Sequence, residues 1–213
     1  DISRHNTAHS FTLPLMHQDI DRILIPQTQI AEKVGELARL ITADFTDDSG
    51  DAGIAAGEIT IVPIMTGALV FAADLIRQIP IALRIGLLTI SSYPGKSISS
   101  QGPTVLRQQL GDVAGRRLLV VDDVLDSGRT LGAVVPMLRS LGATAVRTCV
   151  LLRKDRPEAR ATPVDYVGFD IPDVFIVGYG LDYDNYYRNL PNIVTLKPHA
   201  ISRTEGPDAT GDR

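Results

Sequence analysis

Two adjacent carboxylates and a short loop of glycine and hydroxyl residues stand at the centre of the sequence. Asp122 and Asp123 end an apolar run, and residues 126–130 (DSGRT) follow shortly after. Carboxylates accept hydrogen bonds from hydroxyl groups or hold a hydrated Mg²⁺, but they repel a phosphate. Glycine lets the backbone approach a phosphate closely, and Ser127 and Thr130 add hydroxyl donors. The set therefore suits a phosphorylated sugar with a metal-bound group.

The neighbouring segments predict where this loop lies. Residues 118–121 (LLVV) are all apolar, which predicts a strand buried on both faces of a parallel sheet. After the loop, apolar residues recur at helical spacing from Leu131 to Leu141. The loop thus joins the carboxyl end of a strand to the amino end of a helix, where unpaired N–H groups and the helix dipole favour an anion. Open α/β sheets bind ligands at this edge.

Other stretches predict the remaining elements of an α/β protein. Apolar runs predict strands over residues 23–25, 59–64, 81–90, 105–107, 145–152 and 193–196. Apolar spacing predicts a helix from residue 30 to about residue 46, with Thr28 as its cap, and another through residues 71–79. Thr66 and Gly67 form a second junction between strand and helix, whose amides could face the same crevice.

Composition limits the class of protein. The chain has 213 residues, 44% of them hydrophobic, which predicts one compact domain with a sizeable core. Its formal net charge of −4 argues against a general nucleic-acid or anionic-membrane surface. Cys149 is the only cysteine, so no intrachain disulfide forms, which fits a reducing cytoplasm. Its apolar surroundings favour a small buried residue over a nucleophile. No apolar run is long enough to span a bilayer.

Three further features have two interpretations when the residues are taken alone. Residues 91–102 are rich in serine and glycine, and they form either a simple hairpin loop or a mobile lid. The charged residues 153–157 (RKDRP) are typical of a solvated strand end. Phe175, in an aromatic-rich stretch, is more often a core residue than a ring that stacks on a base.

A resemblance to a known family narrows these alternatives. Residues 120–130 (VVDDVLDSGRT) resemble the phosphoribosyl-pyrophosphate (PRPP) binding motif of type I phosphoribosyltransferases. Residues 151–154 (LLRK), 167–173 (VGFDIPD) and 177–183 (VGYGLDY) are similar to hypoxanthine(-guanine) phosphoribosyltransferases in order and content. The resemblance covers roughly residues 20–197.

The resemblance implies a fold and a reaction. The fold is α/β, the type I phosphoribosyltransferase fold, with a mostly parallel central sheet flanked by helices. A small hood comes from the N-terminal segment and residues of about 164–197, within a single domain over residues 1–197, and the polar tail 198–213 is expected to be disordered. The implied enzyme is a cytoplasmic glycosyltransferase of purine salvage, a homodimer or homotetramer without nucleic-acid or membrane partners. With Mg²⁺ it would convert hypoxanthine and/or guanine plus PRPP to IMP or GMP plus pyrophosphate.

The resemblance also implies roles for individual residues. Asp126 would be the catalytic acid or base near N7 of the purine, Lys154 would bond the 6-oxo group, and Phe175 would stack on the base. For PRPP, the ribose hydroxyls would contact Asp122 and Asp123, the 5′-phosphate would contact Asp126, Ser127, Gly128, Arg129 and Thr130, and the pyrophosphate would contact Thr66, Gly67 and Arg188. The far edge of the base would meet the Ile176 backbone, and Mg²⁺ would bind at Asp182 with Asp122 and Asp123. Ser92 and Tyr93 would begin the lid.

The sequence departs from the family pattern at two positions, and it leaves two rival functions open. Many members carry lysine where Thr66 stands and glutamate where Asp122 stands. One rival is a regulator of the same fold that senses PRPP or nucleotides, and the other is a phosphoribosyltransferase for xanthine, uracil or adenine. Asp126 and Lys154 discriminate, because a regulator needs neither a proton acceptor near N7 nor a donor to a 6-oxo group.

Overall fold

The computed structural model describes residues 16–47, 58–91 and 104–202. Within these ranges the helices and strands alternate along most of the chain, as expected for an α/β protein. They are α1 (Met16–Asp19), β1 (Ile20–Ile25), α2 (Gln27–Asp47), β2 (Glu58–Met65), α3 (Leu69–Ile76), β3 (Ala82–Ile85), β4 (Leu87–Ser91), β5 (Thr104–Gln109), β6 (Arg117–Leu125), α4 (Arg129–Ser140), β7 (Ala145–Lys154), α5 (Pro157–Ala161), β8 (Tyr166–Ile171), β9 (Ile193–Leu196) and α6 (Pro198–Ser202).

The central sheet is mostly parallel, which confirms the predicted fold class. Its strand order is β5-β4-β2-β6-β7-β8, and β3 pairs with β2 beside this path. The pairs of β2, β6, β7 and β8 are parallel, and β4 with β5 is antiparallel. The site-bearing strand β6 therefore lies in the middle of the sheet, with β2 and β7 on either side.

Helices cover both faces of this sheet. Alternate residues of β6 enter different cores: Leu119 and Val121 pack with α2 and α3, whereas Leu118 and Val120 pack with α4. This is why residues 118–121 form an unbroken apolar run. Cys149 on β7 is fully buried, and burial raises the pKa of its thiol, so its interpretation as a packing residue is confirmed.

Two local predictions were wrong for reasons of tertiary structure. Residues 81–90 form two strands, not one, with the break at Gly86. The Gly86 N–H donates to the Ile61 carbonyl at 2.9 Å, so β3 pairs with the first half of β2 and β4 with its end. Thr28 is not a cap, because α2 begins at Gln27, whose N–H donates to Asn192 Oδ1 at 2.8 Å.

A small hood forms from the two ends of the described chain. Strands β1 and β9 pair antiparallel in a separate two-stranded sheet. A third apolar cluster lies beneath them and includes Val177, Leu190 and Ala200. The tail is predicted to be disordered from residue 198, but Pro198–Ser202 form the short helix α6, and Ala200 is buried. Residues 203–213 lie outside the described ranges. Of the helices in residues 16–47, 58–91 and 104–202, none has the length and apolarity to cross a membrane.

Candidate active site

The predicted site residues gather at the carboxyl edge of the sheet. The parallel strands β2, β6, β7 and β8 end at Met65, Leu125, Lys154 and Ile171. Carboxyl ends of parallel strands meet at one edge, so the segments that follow them are neighbours. Thr66, Asp126, Lys154 and Asp173 thus come together although up to 107 residues (66 to 173) separate them.

The loop after β6 has the backbone geometry that an anion site needs. Gly128 is the N-cap of α4, with a left-handed φ of 71°. A Cβ at this position would lie 1.9 Å from Thr162 Oγ1, so no other residue fits without displacing that side chain. Arg129 and Thr130 open the first turn of α4, and Ser127 is exposed. The predicted strand–loop–helix arrangement is present, with unpaired amides of the helix start facing the edge.

The loop after β2 is packed between two other parts of the site. A Cβ at Gly67 would lie 1.9 Å from Asp123 Oδ2. On the other side of the loop, a Cβ at Gly180 would lie 2.3 Å from the Gly67 carbonyl oxygen, and the φ of Gly180 is 102°. The Met65–Thr66 peptide is cis. Thr66 itself is exposed, so its side chain and backbone are open to a ligand.

Asp122 and Asp123 form a closely coupled acidic pair. Asp122 is buried, and the Asp123 N–H donates to its Oδ1 at 3.1 Å. Burial, and then the charge of Asp123, hold the pKa of the Asp122 carboxyl well above its ordinary value. Burial also raises the pKa of Asp123, which Arg188 partly opposes. Two full charges on this pair therefore require a cation or hydroxyl donors against it.

Asp182 and Arg188 face this pair from the hood. Arg188 Nη2 lies 2.8 Å from Asp182 Oδ1, and Arg188 Nη1 donates to the Gly180 carbonyl at 2.7 Å. The other Asp182 oxygen accepts the Asn185 N–H at 2.8 Å. The turn of residues 178–180 is itself anchored, since the Tyr179 hydroxyl donates to Asp74 Oδ2 at 2.8 Å. A guanidinium and a carboxylate are thus held rigidly beside Asp123 and Gly67.

The opposite end of the site carries the candidate base-binding residues. Lys154 Nζ lies 3.5 Å from Asp126 Oδ2, and its side chain is 14% exposed. The ring of Phe175 is largely open, because 46% of the residue is exposed, and it makes a T-shaped contact with Tyr183 at 5.3 Å between ring centroids. Ile176 beside it is buried. Cations, carboxylates and an exposed aromatic ring are the groups that suit a flat polar heterocycle.

Most of the chain is similar to proteins of a known family. Residues 26–184 match the phosphoribosyl transferase domain family. A hypoxanthine-guanine phosphoribosyltransferase of Mycobacterium avium is 41% identical over 188 residues, which cover 87% of this chain and 90% of the relative. The chain belongs to the hypoxanthine-guanine phosphoribosyltransferase family. The family protein of Bacillus subtilis is 37% identical over 186 residues, or 86% of this chain and 97% of the relative. The crystal structure of a hypoxanthine phosphoribosyltransferase from Staphylococcus aureus matches with a TM-score of 0.78 at 31% identity, covering 89% of this chain and 98% of that one.

Two residues of the site were missed by sequence analysis. Arg156 pairs with Asp126 Oδ1, and its Nε lies 2.9 Å from Asp173 Oδ2. Lys154 Nζ lies 3.4 Å from Asp173 Oδ1. Arg156 belongs to the charged run 153–157, interpreted as solvated, and Asp173 directly follows the apolar-to-turn sequence Ile171-Pro172. The only signal was their position at two strand ends, which alone cannot distinguish them from the other charges there.

The predicted Mg²⁺ ligands in the described residues do not form a complete metal site by themselves. Across residues 16–47, 58–91 and 104–202, no group of three or more His, Cys, Asp or Glu side chains is arranged to hold a metal ion by itself. Mg²⁺ is usually bound by one or two carboxylates together with water and substrate phosphates. At Asp182 and the pair Asp122–Asp123, an ion would therefore need further oxygen ligands from water and a phosphorylated substrate. Ser92 and Tyr93, predicted at the start of a lid, lie outside the described residues.

Asp122→Asn is expected to stabilise the fold near neutral pH. The folded protein keeps the Asp122 proton to a higher pH than the unfolded chain, whose carboxyl has the ordinary pKa of 3.8. The wild type therefore loses stability as the pH rises from that value through the raised pKa, and asparagine does not titrate. Thermal denaturation at several pH values should show that the variant melts a few degrees above the wild type at neutral pH. Each kcal/mol of added stability raises the melting temperature of a chain of this size by about 2–4 °C. The difference in melting temperature between the variant and the wild type should disappear near pH 3.8. A variant that melts below the wild type at neutral pH would contradict the raised pKa.

Proposed function

We propose that the protein is a purine-salvage enzyme that converts hypoxanthine and guanine, with PRPP, to IMP and GMP plus pyrophosphate. One observation carries this proposal: a phosphate-type loop, an acidic pair and a base slot with Lys154 and Asp126 line one edge of the sheet. The family relatives named above support it. In the reaction, the bond from ribose C1 to the pyrophosphate oxygen breaks, a bond from the purine nitrogen to C1 forms, and the purine loses a proton.

The PRPP end of the site would hold the sugar phosphate by matched charges. The helix-start amides of α4, with the hydroxyls of Ser127 and Thr130, suit the 5′-phosphate. Asp122 and Asp123 would repel a phosphate, and they would accept hydrogen bonds from the ribose hydroxyls instead. Such neutral donors are compatible with the raised pKa of both carboxyls.

The base end would select and activate the purine. The Lys154 ammonium has donors only, so it pairs with an oxygen at the 6-position. Asp126, whose side chain is 42% exposed, is accessible to take the proton at N7 as general base. The exposed ring of Phe175 offers a stacking surface, and the backbone of Ile176 next to it would meet the far edge of the base.

The pyrophosphate would leave across the space between the β2 loop and the hood. Thr66 and Gly67 offer backbone and hydroxyl groups there, and Arg188 offers a guanidinium that can bind a phosphate bidentately. Mg²⁺ held with PRPP at Asp182 and the acidic pair would neutralise charge on the leaving pyrophosphate. Arg188 would then exchange part of its pairing with Asp182 for the phosphate oxygens.

A spectrophotometric assay of separate bases with PRPP and Mg²⁺ tests the proposal. Hypoxanthine and guanine should be converted, and adenine and uracil should not. Turnover of adenine or uracil alone would establish a phosphoribosyltransferase for another base. PRPP binding without turnover of any base, xanthine included, would favour the sensing regulator of the same fold.

Removal of divalent cations is expected to abolish turnover. Fully charged pyrophosphate is a poor leaving group, and no described cluster of the chain holds an ion independently of substrate, so a chelator should reach it readily. Activity should be negligible in excess EDTA and should return when Mg²⁺ exceeds the chelator. Full turnover in excess chelator would contradict the proposed role of Asp182 with Asp122 and Asp123.

A cytoplasmic location and assembly into two or four copies complete the proposal. The buried reduced Cys149 is compatible with a reducing compartment. Sedimentation or light scattering of the purified chain measures the number of copies directly.

A further inference from the structure

A closed ring of four charged side chains lies at the base end of the site. Lys154 and Arg156 each contact both Asp126 and Asp173, so two cations alternate with two carboxylates. The ring has no net charge. Its members come from the loop after β6, the end of β7 with the residues that follow, and the segment after β8. It therefore connects the three segments that must hold one flat ligand.

The two cations do not hold the carboxylates equally. Lys154 Nζ lies 3.5 Å from Asp126 Oδ2 and 3.4 Å from Asp173 Oδ1, at or near the limit of a hydrogen bond. Arg156 is much closer: it is hydrogen-bonded to Asp126 Oδ1, and its Nε lies 2.9 Å from Asp173 Oδ2. A guanidinium also binds with a rigid, planar fork, whereas an ammonium on a flexible stem does not.

This difference separates the two oxygens of Asp126. Among the residues that the structure describes, Arg156 binds Oδ1, and the contact of Oδ2 is the long one with Lys154. A carboxylate anchored through one oxygen keeps the other at a fixed position, where it can accept a proton from a bound ligand. The same holds for Asp173, whose Oδ1 remains beside the Lys154 ammonium. Lys154 stays loosely held and can turn to a ligand oxygen.

We propose that Arg156 is the positioning residue of the base site, because it anchors Asp126 through Oδ1 and Asp173 through Oδ2 and leaves Asp126 Oδ2 and the Lys154 ammonium directed at the purine. This inference rests on the proposed function. Arg156 touches no reacting atom, and it acts through Asp126. It stands at the N-cap of α5, whose C-cap Thr162 packs on Gly128, so the same short helix supports both the proton acceptor and the phosphate loop.

The expected consequence is a change in turnover with little change in PRPP binding. Arg156→Gln releases Asp126, and a reacting group that is displaced by about 1 Å costs up to about 100-fold in rate. We expect kcat to fall about 10- to 100-fold, with the KM for PRPP within about threefold of the wild type. Arg156→Lys keeps the charge but replaces the rigid planar fork with a flexible ammonium that holds the carboxylates less firmly, so it should recover only part of kcat.

Arg160 on the same helix provides a matched control. It also pairs with two carboxylates, Asp155 at 3.3 Å and Asp170 at 3.0 Å, and its side chain is 43% exposed against 41% for Arg156. Neither partner of Arg160 belongs to the base site. Arg160→Gln should therefore keep wild-type kcat while it removes the same charge and the same number of ion pairs.

The test measures kcat and KM for wild type, Arg156→Gln, Arg156→Lys, Arg160→Gln, Asp126→Asn and the double variant of Arg156 and Asp126, with thermal denaturation of each. If Arg156 acts through Asp126, its substitution should have little further effect on kcat in the Asp126→Asn background. Equal kcat for Arg156→Gln and Arg160→Gln, or full additivity in the double variant, would overturn the inference while the proposed function stands. A wild-type protein without transferase activity would overturn the proposed function, and this inference with it.

Discussion

Asp126→Asn is expected to lower kcat by about 10²–10⁴-fold, the usual cost of removing a general acid or base. Asparagine has nearly the same shape and can still accept the hydrogen bond from Arg156, so the loop after β6 should keep its form. It cannot take a proton from the purine. In the proposed function PRPP is held by the helix-start amides and by Asp122 and Asp123, so the Kd for PRPP should change little. Steady-state kinetics and PRPP titration measure the two effects separately.

Asp170→Asn is the control for that substitution. Like Asp126, Asp170 pairs with two cations, Arg153 at 2.7 Å and Arg160 at 3.0 Å, and its side chain is 44% exposed against 42% for Asp126. It lies outside the base slot, so its loss should leave kcat unchanged. Wild-type turnover in Asp126→Asn would show that Asp126 is only a loop residue.

Lys154→Gln is expected to weaken the preference for 6-oxopurines. The ammonium donates to a 6-oxo group, whereas adenine places a 6-amino donor at the same point, so a buried donor would be left unpaired. Such a group costs roughly 1–3 kcal/mol, or more when charged, which rejects adenine by a factor of about ten to several hundred. The glutamine amide can donate or accept. The kcat/KM for hypoxanthine and guanine should fall sharply, and the ratio of oxopurine to adenine efficiency should shrink.

Arg153→Gln serves as the comparison for Lys154. Arg153 is the preceding residue, pairs with Asp170 at 2.7 Å and is 22% exposed, so it is another partly buried cation at the end of the same strand. Its side chain points to Asp170 and away from Asp126, and base preference should not change on its substitution. An oxopurine-to-adenine ratio that stays constant in Lys154→Gln would mean that another group reads the 6-position.

The parts of the site that lie on one continuous stretch could be predicted from sequence. The buried run of β6, the carboxylates at its end and the glycine before α4 are local features, and each has a direct physical reason. Lys154 and Phe175 were assigned roles only through the resemblance, because a cation at a strand end and an aromatic in an apolar run each have a more ordinary explanation. Those two roles remain predictions: the structure pairs Lys154 with Asp126 and leaves the ring of Phe175 exposed.

The parts that could not be predicted depend on residues far apart in sequence. The cap of α2 comes from Asn192, 165 positions away, so the nearby Thr28 gave a misleading signal. The break at Gly86 reflects a hydrogen bond to Ile61 and not a local turn signal. Arg156 and Asp173 become a pair only when β7 and β8 are aligned in register. Propensity and periodicity carry no information about such contacts.

The pairing of β1 with β9 has a consequence for the order of events during synthesis. Ile20 pairs with Leu196, so β1, the first described strand, has no partner until β9, the last described strand, has left the ribosome. The main sheet needs only β2 to β8, and it is complete at Ile171. A nascent chain at that stage contains the phosphate loop and the acidic pair but not Phe175, Asp182 or Arg188. Closure of the hood joins strands that are far apart in sequence, so it follows formation of the main sheet and adds Phe175, Asp182 and Arg188 last.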